Sequence, residues 1–308
     1  MLESVLHSKS FAASKAALTR ALTREGFSGT GIDFKMNKDK PVARTVWLDL
    51  ATEFGQKAFC AIIRDKSKLI CYVHFAPPCG TASRAREVRV KDGPDPKPLR
   101  TNDCPDGLKD LEGKNLERVL TANKLYRFTA IAVVALHRDG IPWSIENPKN
   151  SLMWLTSWFS NMIAIADEVD SDFTFSKVTF HACMHGGQRD KATTFWYGIV
   201  DLSELEATCD GLHSHLPWGR TKEPGTNWAT GEERNYPDLL CRRIATRVAR
   251  HWQVQKPPKS GSHVDKEHSE KQARSGLAPL ISEFKHILKI EDCSKEEVAD
   301  IRAWAKTH

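Results

Sequence analysis

The sequence predicts an α/β protein built on a doubly wound, mostly parallel sheet. Three observations predict it. Short β-type runs alternate with helical stretches along most of the chain, the pattern of strands joined by crossover helices. The 308 residues, 40% of them apolar, suffice for one large domain or for one domain with an appendage. Two unusual turns, "APPCG" and "ENP", each follow a β-type run. In a doubly wound sheet such turns share the carboxyl rim, where ligands gather.

Taken in order, "SVLH" is a short first strand, and "AALTRALTREG" (Ala16 to Gly26) is a helix with Gly26 placed to stop it. "TGIDF" (Thr30 to Phe34) and "ARTVWLDL" are strand candidates, and "ATEFGQKAFCAIIRD" is an amphipathic helix. "KLICYVHFA" (Lys68 to Ala76) is β-rich and ends at Pro77 and Pro78. Residues Asn115 to Gly140 form a long helix, closed by Gly140, and "IPWSIENP" (Ile141 to Pro148) is a strand running into a turn. "SLMWLTSWFSNMIAIADEV" reads as one further helix, and "FTFSKVTFHACM" and "TTFWYGIV" alternate like strands. Pro94 to Pro105 is loop. The domain spans 1–252, with a small insert at about 201–232. Residues 253–276 are polar and turn-rich, a flexible linker. Residues 277–308 form a short helical appendage, in which Ser294 and Glu297 make a capping box.

The net charge of +6 is compatible with a polyanionic partner without demanding one. Eight cysteines scattered through a long chain, with no CxxC, argue against a small disulfide scaffold and fit a reducing, intracellular compartment. The longest clean apolar run, "IAVVAL" (Ile131 to Leu136), is far too short to span a bilayer, so no membrane partner is expected. The basic, Ser/Ala-rich N-terminus has the look of a transit peptide, against which Glu3 counts.

The stretch "FAPPCGTASRAR" (Phe75 to Arg86) puts Cys79 behind two prolines that stiffen the backbone. A thiol on a stiff, exposed loop is suited to act as a nucleophile once ionised. "IENP" supplies an acid, Glu146, beside Asn147 and Pro148 on the next strand-end turn. A carboxylic acid in reach of the same ring can assist addition of sulfur to it. Each turn alone is unremarkable. Their joint presence, in this order and after β-runs, points to a site.

The chain resembles the C5-cytosine DNA methyltransferase family, in a divergent form, over roughly Phe11 to Val248. The family uses Pro-Cys on a strand-end loop and a Glu-Asn turn after it, and Cys79 and Glu146 match. The amino-group methyltransferases fit less well, because Ala76 and Cys79 replace the polar and aromatic residues that flank their prolines. The family's Phe-x-Gly-x-Gly turn corresponds to "FAASKAALTRAL"; Phe11 matches, while Ala13 and Lys15 stand where glycines are expected. Gly80 stands where glutamine is usual. The resemblance implies a Rossmann-like class I S-adenosylmethionine-dependent methyltransferase fold. Phe11, Ala12, Ala13, Asp33, Asp49 and Pro77 would border S-adenosylmethionine, with Asp33 at the ribose and Asp49 at the adenine. "HGGQRDKATTFWYG" is similar to the family's Gln-x-Arg-x-Arg segment, with Arg189 and Lys191 keeping positive charge and Thr193 replacing an arginine. "NYPDLLCRRIATRVA" resembles its closing helix.

The implied function is methyl transfer to carbon 5 of cytosine in DNA, with RNA as the alternative substrate, through a covalent Cys79 adduct. In that reading Cys79 attacks carbon 6 and Glu146 engages nitrogen 3. Arg84, Arg86, Arg189 and Lys191 steady an extruded base and its backbone. The insert is small for a DNA-reading domain, which implies loose sequence preference or RNA. Monomers are expected. A catalytically inactive nucleic-acid-binding protein of the same fold is the alternative. A zinc-dependent protein is the second alternative, because "HACMH" and "CDGLHSH" offer His181, Cys183 and His185 on one strand face and Cys209, His213 and His215 in a loop. Four of these could surround zinc. Their spacing matches no common finger pattern, and no residue is assigned as a metal ligand.

Overall fold

The computed structural model describes residues 4–8, 16–34, 40–64, 70–89, 95–162, 164, 166, 173–219 and 228–255. Phe11, Ala12, Ala13 and Lys15 lie outside the described residues, as do the linker from 256 onward and the appendage at 277–308.

Among the described residues, seven strands form one mixed sheet in the order β3-β2-β1-β4-β5-β7-β6. They are β1 (Ser4–Ser8), β2 (Ser28–Asp33), β3 (Thr45–Trp47), β4 (Ile70–Phe75), β5 (Trp143–Pro148), β6 (Ser176–His181) and β7 (Ala192–Gly198). β1 to β5 pair in parallel, whereas β7 runs antiparallel to both β5 and β6. The sheet is therefore less uniformly parallel than the sequence suggests. Reversal of β7 has a consequence for the site: its N-terminal end, not its C-terminal end, lies on the rim where β4 and β5 finish.

Helices cover both faces. α1 (Ala17–Arg24) and α4 (Asp238–Gln255) lie on one face, where Leu18, Leu22, Ile244 and Val248 pack with Tyr72, Phe180 and Phe195. α2 (Glu53–Arg64) and α3 (Gly113–Arg138) lie on the other, with Phe59, Phe128 and Val133 against Val73, Phe75, Ile145 and Trp196. β4 is buried along its whole length because both of its faces are covered, which is why its sequence does not alternate between apolar and exposed polar residues and why its one basic residue, His74, is buried and hydrogen-bonded. α3 is long and apolar enough to cross a membrane, yet 67% of its most apolar window is buried inside the protein, as befits a core helix.

Most elements form where the residues dictate. α1 stops at Gly26, whose φ of 94° suits a residue without a side chain. Gly55 has a different role: a β-carbon there would sit 1.9 Å from the Asp49 carbonyl oxygen, so α2 can pack onto the turn after β3 only with glycine. The expected helix over "SLMWLTSWFSNMIAIADEV" is broken. A 3-10 turn (Leu152–Leu155) and a single helical turn (Ser157–Ser160) are separated by Thr156, which is extended at ψ 152°. The buried Thr156 hydroxyl donates to the Met153 carbonyl at 2.7 Å, a local bond that competes with helix continuation. β6 likewise ends at His181. Cys183 and His185 then lie on a 3-10 turn (Ala182–His185), so they do not share a strand face with His181.

Burial sets the stability scale. Leu22 and Ile244 are both fully buried between α1 and α4. Ile244→Ala should cost about 2–5 kcal/mol, read as a lower denaturation midpoint with unchanged slope.

Candidate active site

The two rim turns meet. The parallel register pairs Val73 with Trp143, His74 with Ser144 and Phe75 with Ile145. Continued past the strand ends, that register carries Pro77 to Asn147. The Asn147 side-chain amide donates to the Pro77 carbonyl at 3.0 Å, with both residues buried. The "PPC" and "ENP" turns are thus fastened to each other, and "ENP" is the end of β5 itself rather than a turn beyond it. Backbone pairing of Glu146, Asn147 and Pro148 with Phe195, Thr194 and Thr193 of β7 holds it extended.

Cys79 is half-buried on a braced loop. Its carbonyl accepts from Ala82 N at 3.0 Å and Ser83 N at 2.8 Å, and the Tyr126 hydroxyl donates to the neighbouring Pro78 carbonyl at 2.6 Å. Burial first, with a smaller contribution from Cys79, pushes the Tyr126 phenol up to about 12, so it remains a donor. Under the loop lies Arg100, fully buried, which the sequence did not single out. Its guanidinium donates to the Thr81 hydroxyl at 3.2 and 3.1 Å, to the Pro105 carbonyl at 2.7 Å and to the Val119 carbonyl at 3.4 Å. Its charge also lies over the Tyr126 ring, 5.2 Å from the centroid. "PLRTNDCP" has no periodicity to mark this arginine as internal; only the fold shows that a loop covers it.

Glu146 is buried, and its carboxylate is held from two sides. Lys191 Nζ approaches Oε1 at 3.4 Å and the Tyr236 hydroxyl donates to Oε2 at 3.2 Å. Burial works against the charge on Lys191. The Glu146 carboxylate, Cys79 and Glu233 outweigh it, so the net displacement of the Lys191 pKa is upward. Lys191 therefore lies within electrostatic range of both Cys79 and Glu146, and stays a cation.

Behind Glu146 runs a buried chain of hydrogen bonds: Tyr236 Oη to His74 Nε2 at 2.8 Å, His74 Nδ1 to Ser144 Oγ at 2.7 Å, and Ser144 Oγ to Tyr72 Oη at 2.5 Å. One polarity satisfies every member. Tyr72 donates to Ser144, Ser144 to Nδ1, Nε2–H to Tyr236, and Tyr236 to the carboxylate. Burial raises both phenols, Tyr236 further because of Glu146, so both keep their protons. His74, Ser144 and Tyr236 had no distinguishing signal in the sequence; the alternation of β4 and β5 brings the first two together across strands.

The remaining expected residues have other partners. Arg84 pairs with Glu87 at 2.8 Å and with Asn102, and Arg86 donates to the Lys97 carbonyl at 2.9 Å and the Gly80 carbonyl at 3.4 Å. Both arginines tie the loop after Cys79 to the segment at 95–102. Arg189 is buried between Glu232 at 2.7 Å and Glu233 at 2.9 Å and donates to the Pro217 carbonyl at 3.1 Å. It clamps the insert to the sheet instead of presenting a free charge. At the far side of the rim, Asp33 is buried at the end of β2, accepting from Phe34 N at 2.8 Å, and Asp49 follows β3, accepting from Ala51 N at 2.9 Å. Between them and the site, Ala16 turns the chain into α1 at a left-handed φ of 53°, a conformation costly for a residue with a side chain.

Of the six expected Cys and His residues, the structure brings Cys183, Cys209, His213 and His215 together, with ligand atoms all within 4.8 Å of one another. It withdraws His185, which bonds the Leu205 carbonyl through Nε2 at 2.9 Å and accepts from Arg243 at Nδ1 at 2.8 Å. His181 accepts from the Cys209 backbone N–H at 2.9 Å.

A scan against protein-family models finds no match for this chain, and no curated protein matches it.

Removing Arg189 strands two carboxylates. Arg189→Ala should destabilise the folded chain by about 3–5 kcal/mol, measured by denaturant titration. Asn147→Ala removes the clasp and should cost about 1–3 kcal/mol, with amide exchange faster at residues following β4.

Proposed function

We propose that this chain is an S-adenosylmethionine-dependent methyltransferase acting on carbon 5 of cytosine in DNA, with a covalent adduct on Cys79. The observation that carries the reading is the Asn147–Pro77 hydrogen bond, which fastens the cysteine turn to the end of β5 that bears Glu146, with Lys191 in electrostatic range of both. The strand order also supports it. A doubly wound sheet runs 3-2-1-4-5-6, and here a reversed β7 is inserted between β5 and β6. The switch point falls between β1 and β4, beside Pro77.

Carbon 5 of cytosine is a poor nucleophile. Addition of the Cys79 thiolate to carbon 6 forms an S–C bond and moves the ring's electron pair toward carbon 5, which then accepts a methyl group. Loss of the carbon 5 proton to a base and departure of the sulfur restore the double bond and free Cys79. As the adduct forms, nitrogen 3 takes up a proton from solvent, and the Glu146 carboxylate, oriented by Tyr236 and Lys191, accepts the hydrogen bond from that N–H and stabilises the adduct. Lys191 favours the thiolate by its charge. The ring must leave a duplex to reach this rim.

The donor set at the other end of the rim fits the cofactor. Asp33 and Asp49, after neighbouring strands, offer acceptors for ribose hydroxyls and an adenine amine, and Pro77 offers an apolar wall. Phe11, Ala12 and Ala13 would complete that wall. The cofactor would supply an electrophilic methyl group, its sulfonium–methyl bond breaking to leave a neutral thioether.

The test is a trap. Full-length protein incubated with tritiated cofactor and DNA containing 5-fluorocytosine should form a labelled covalent complex, because fluorine at carbon 5 cannot leave as a proton does. Cys79→Ala should form none while keeping its thermal midpoint. Tritium transfer that persists in Cys79→Ala would reject the mechanism, and absence of cofactor binding by calorimetry would reject the activity.

A further inference from the structure

The loop at 208–218, between the bridge at Ala207 and Gly219, has no hydrophobic support of its own. No residue in it is buried, and Leu212 at its tip is 88% exposed. Yet three of its side chains fold back onto Cys183, on the turn after β6. Cys209 Sγ lies 3.6 Å from His215 Nε2 and 3.9 Å from His213 Nε2, and the two Nε2 atoms are 3.0 Å apart. With zinc bonds of about 2.3 Å to sulfur and about 2.0–2.1 Å to nitrogen, a tetrahedral site has edges of about 3.6 Å for S···N and about 3.3 Å for N···N. The three loop donors already have nearly those dimensions, and Cys183 Sγ lies within 4.8 Å of each of them.

The surroundings are those of a ligand shell. His213 presents Nε2 to the cluster while Nδ1 faces Asp210 Oδ1 at 3.3 Å, the carboxylate–imidazole pairing that fixes a ligating tautomer. Gly211 N–H points at Cys209 Sγ at 3.4 Å, and the Cys209 backbone is anchored by His181. Two thiols and two imidazoles are a soft, four-donor set, which selects zinc over the hard cations and leaves no open position for a substrate or water.

We propose that Cys183, Cys209, His213 and His215 bind one zinc ion, a structural site that fastens the insert to the end of β6. Binding releases the two thiol protons to solvent, and the metal takes the place of the hydrophobic core the loop lacks. Its reach extends to the rim. Beyond the ligands, Leu216 N donates to the Gln188 carbonyl at 2.9 Å, Trp218 Nε1 donates to Asp190 at 2.9 Å, and the Arg189 guanidinium lies over the Trp218 ring at 5.7 Å. The ion thereby sets where Arg189 and, two residues along the chain, Lys191 are held. This assignment does not depend on the methyltransferase reading.

The full-length chain, expressed with zinc and purified without chelator, should carry about one zinc per molecule by elemental mass spectrometry. Cys209→Ser and His213→Asn should each lower that content at least about tenfold, whereas Cys104→Ser, outside the cluster, should not. His213 is partly exposed, with 39% of its side chain accessible, so its replacement leaves the core intact and keeps the test interpretable if the cysteine variant fails to fold. Cobalt in place of zinc should give a thiolate charge-transfer band and visible bands of tetrahedral geometry. A folded chain that contains no zinc and whose thermal midpoint ignores both chelator and added zinc would overturn the proposal. So would a His213→Asn variant with full zinc content, or a Cys183–Cys209 disulfide in the purified protein.

Discussion

One buried hydrogen bond, from the Asn147 side chain to the Pro77 carbonyl, joins the ends of two adjacent parallel strands. Parallel neighbours lie about 4.8 Å apart, and their register is fixed by a ladder of backbone bonds along their length. Side chains that leave such a rim are therefore positioned by the whole sheet. The Asn147 amide extends that constraint beyond the last ladder bond between the two strands, to the turn that carries the thiol and the strand end that carries the carboxylate. Proline at 77 and 78 removes backbone freedom on one side. Pairing with β7 removes it on the other. The geometry of the site follows from this junction, and the more distant groups are arranged around it.

A buried carboxylate is costly unless it is paired and hydrogen-bonded. Glu146 meets this requirement through Lys191 and Tyr236, and each of these comes from a part of the chain remote from β5. Lys191 reaches the rim because β7 is antiparallel, so that the residue preceding the strand lies beside the residues ending β5. Tyr236 reaches it from the segment leading into α4. Its hydroxyl draws on a buried chain through His74, Ser144 and Tyr72 in which every donor has one acceptor. Such a chain favours one orientation of the carboxylate, because reversing any member would leave a buried group unmatched.

The insert between β7 and α4 shows a different economy. Arg189 is neutralised by Glu232 and Glu233 and lies over Trp218, so the arginine expected to meet a substrate instead holds the insert in place. Of the tryptophans, Trp143 is fully buried and Trp196 nearly so, whereas Trp218 is 47% exposed at the outer edge of this clamp. Together with the Cys183–Cys209–His213–His215 cluster, the clamp gives the polar loop at 208–218, in which no residue is buried, a fixed relation to the rim.

Local sequence determined much of this architecture. Gly26 and Gly140 mark helix ends, a β-rich run ending at Pro77 marks β4, Pro142 and Pro148 bracket β5, and the alternation of elements points to an α/β sheet, because these signals act over a few residues of chain. That Cys79 and Glu146 stand at the ends of β4 and β5 was legible for the same reason: prolines near strand ends have local signatures. The broken helix at Thr156 was not, since a single buried hydroxyl decided it against favourable propensities on both sides. Nor was the role of Arg100, the chain behind Glu146, the capture of Arg189 by two glutamates, or the choice of four cysteine and histidine residues out of six. Each depends on which strands are neighbours and which way β7 runs. Those are long-range facts, set by burial on both faces of the sheet, and no stretch of sequence carries them alone.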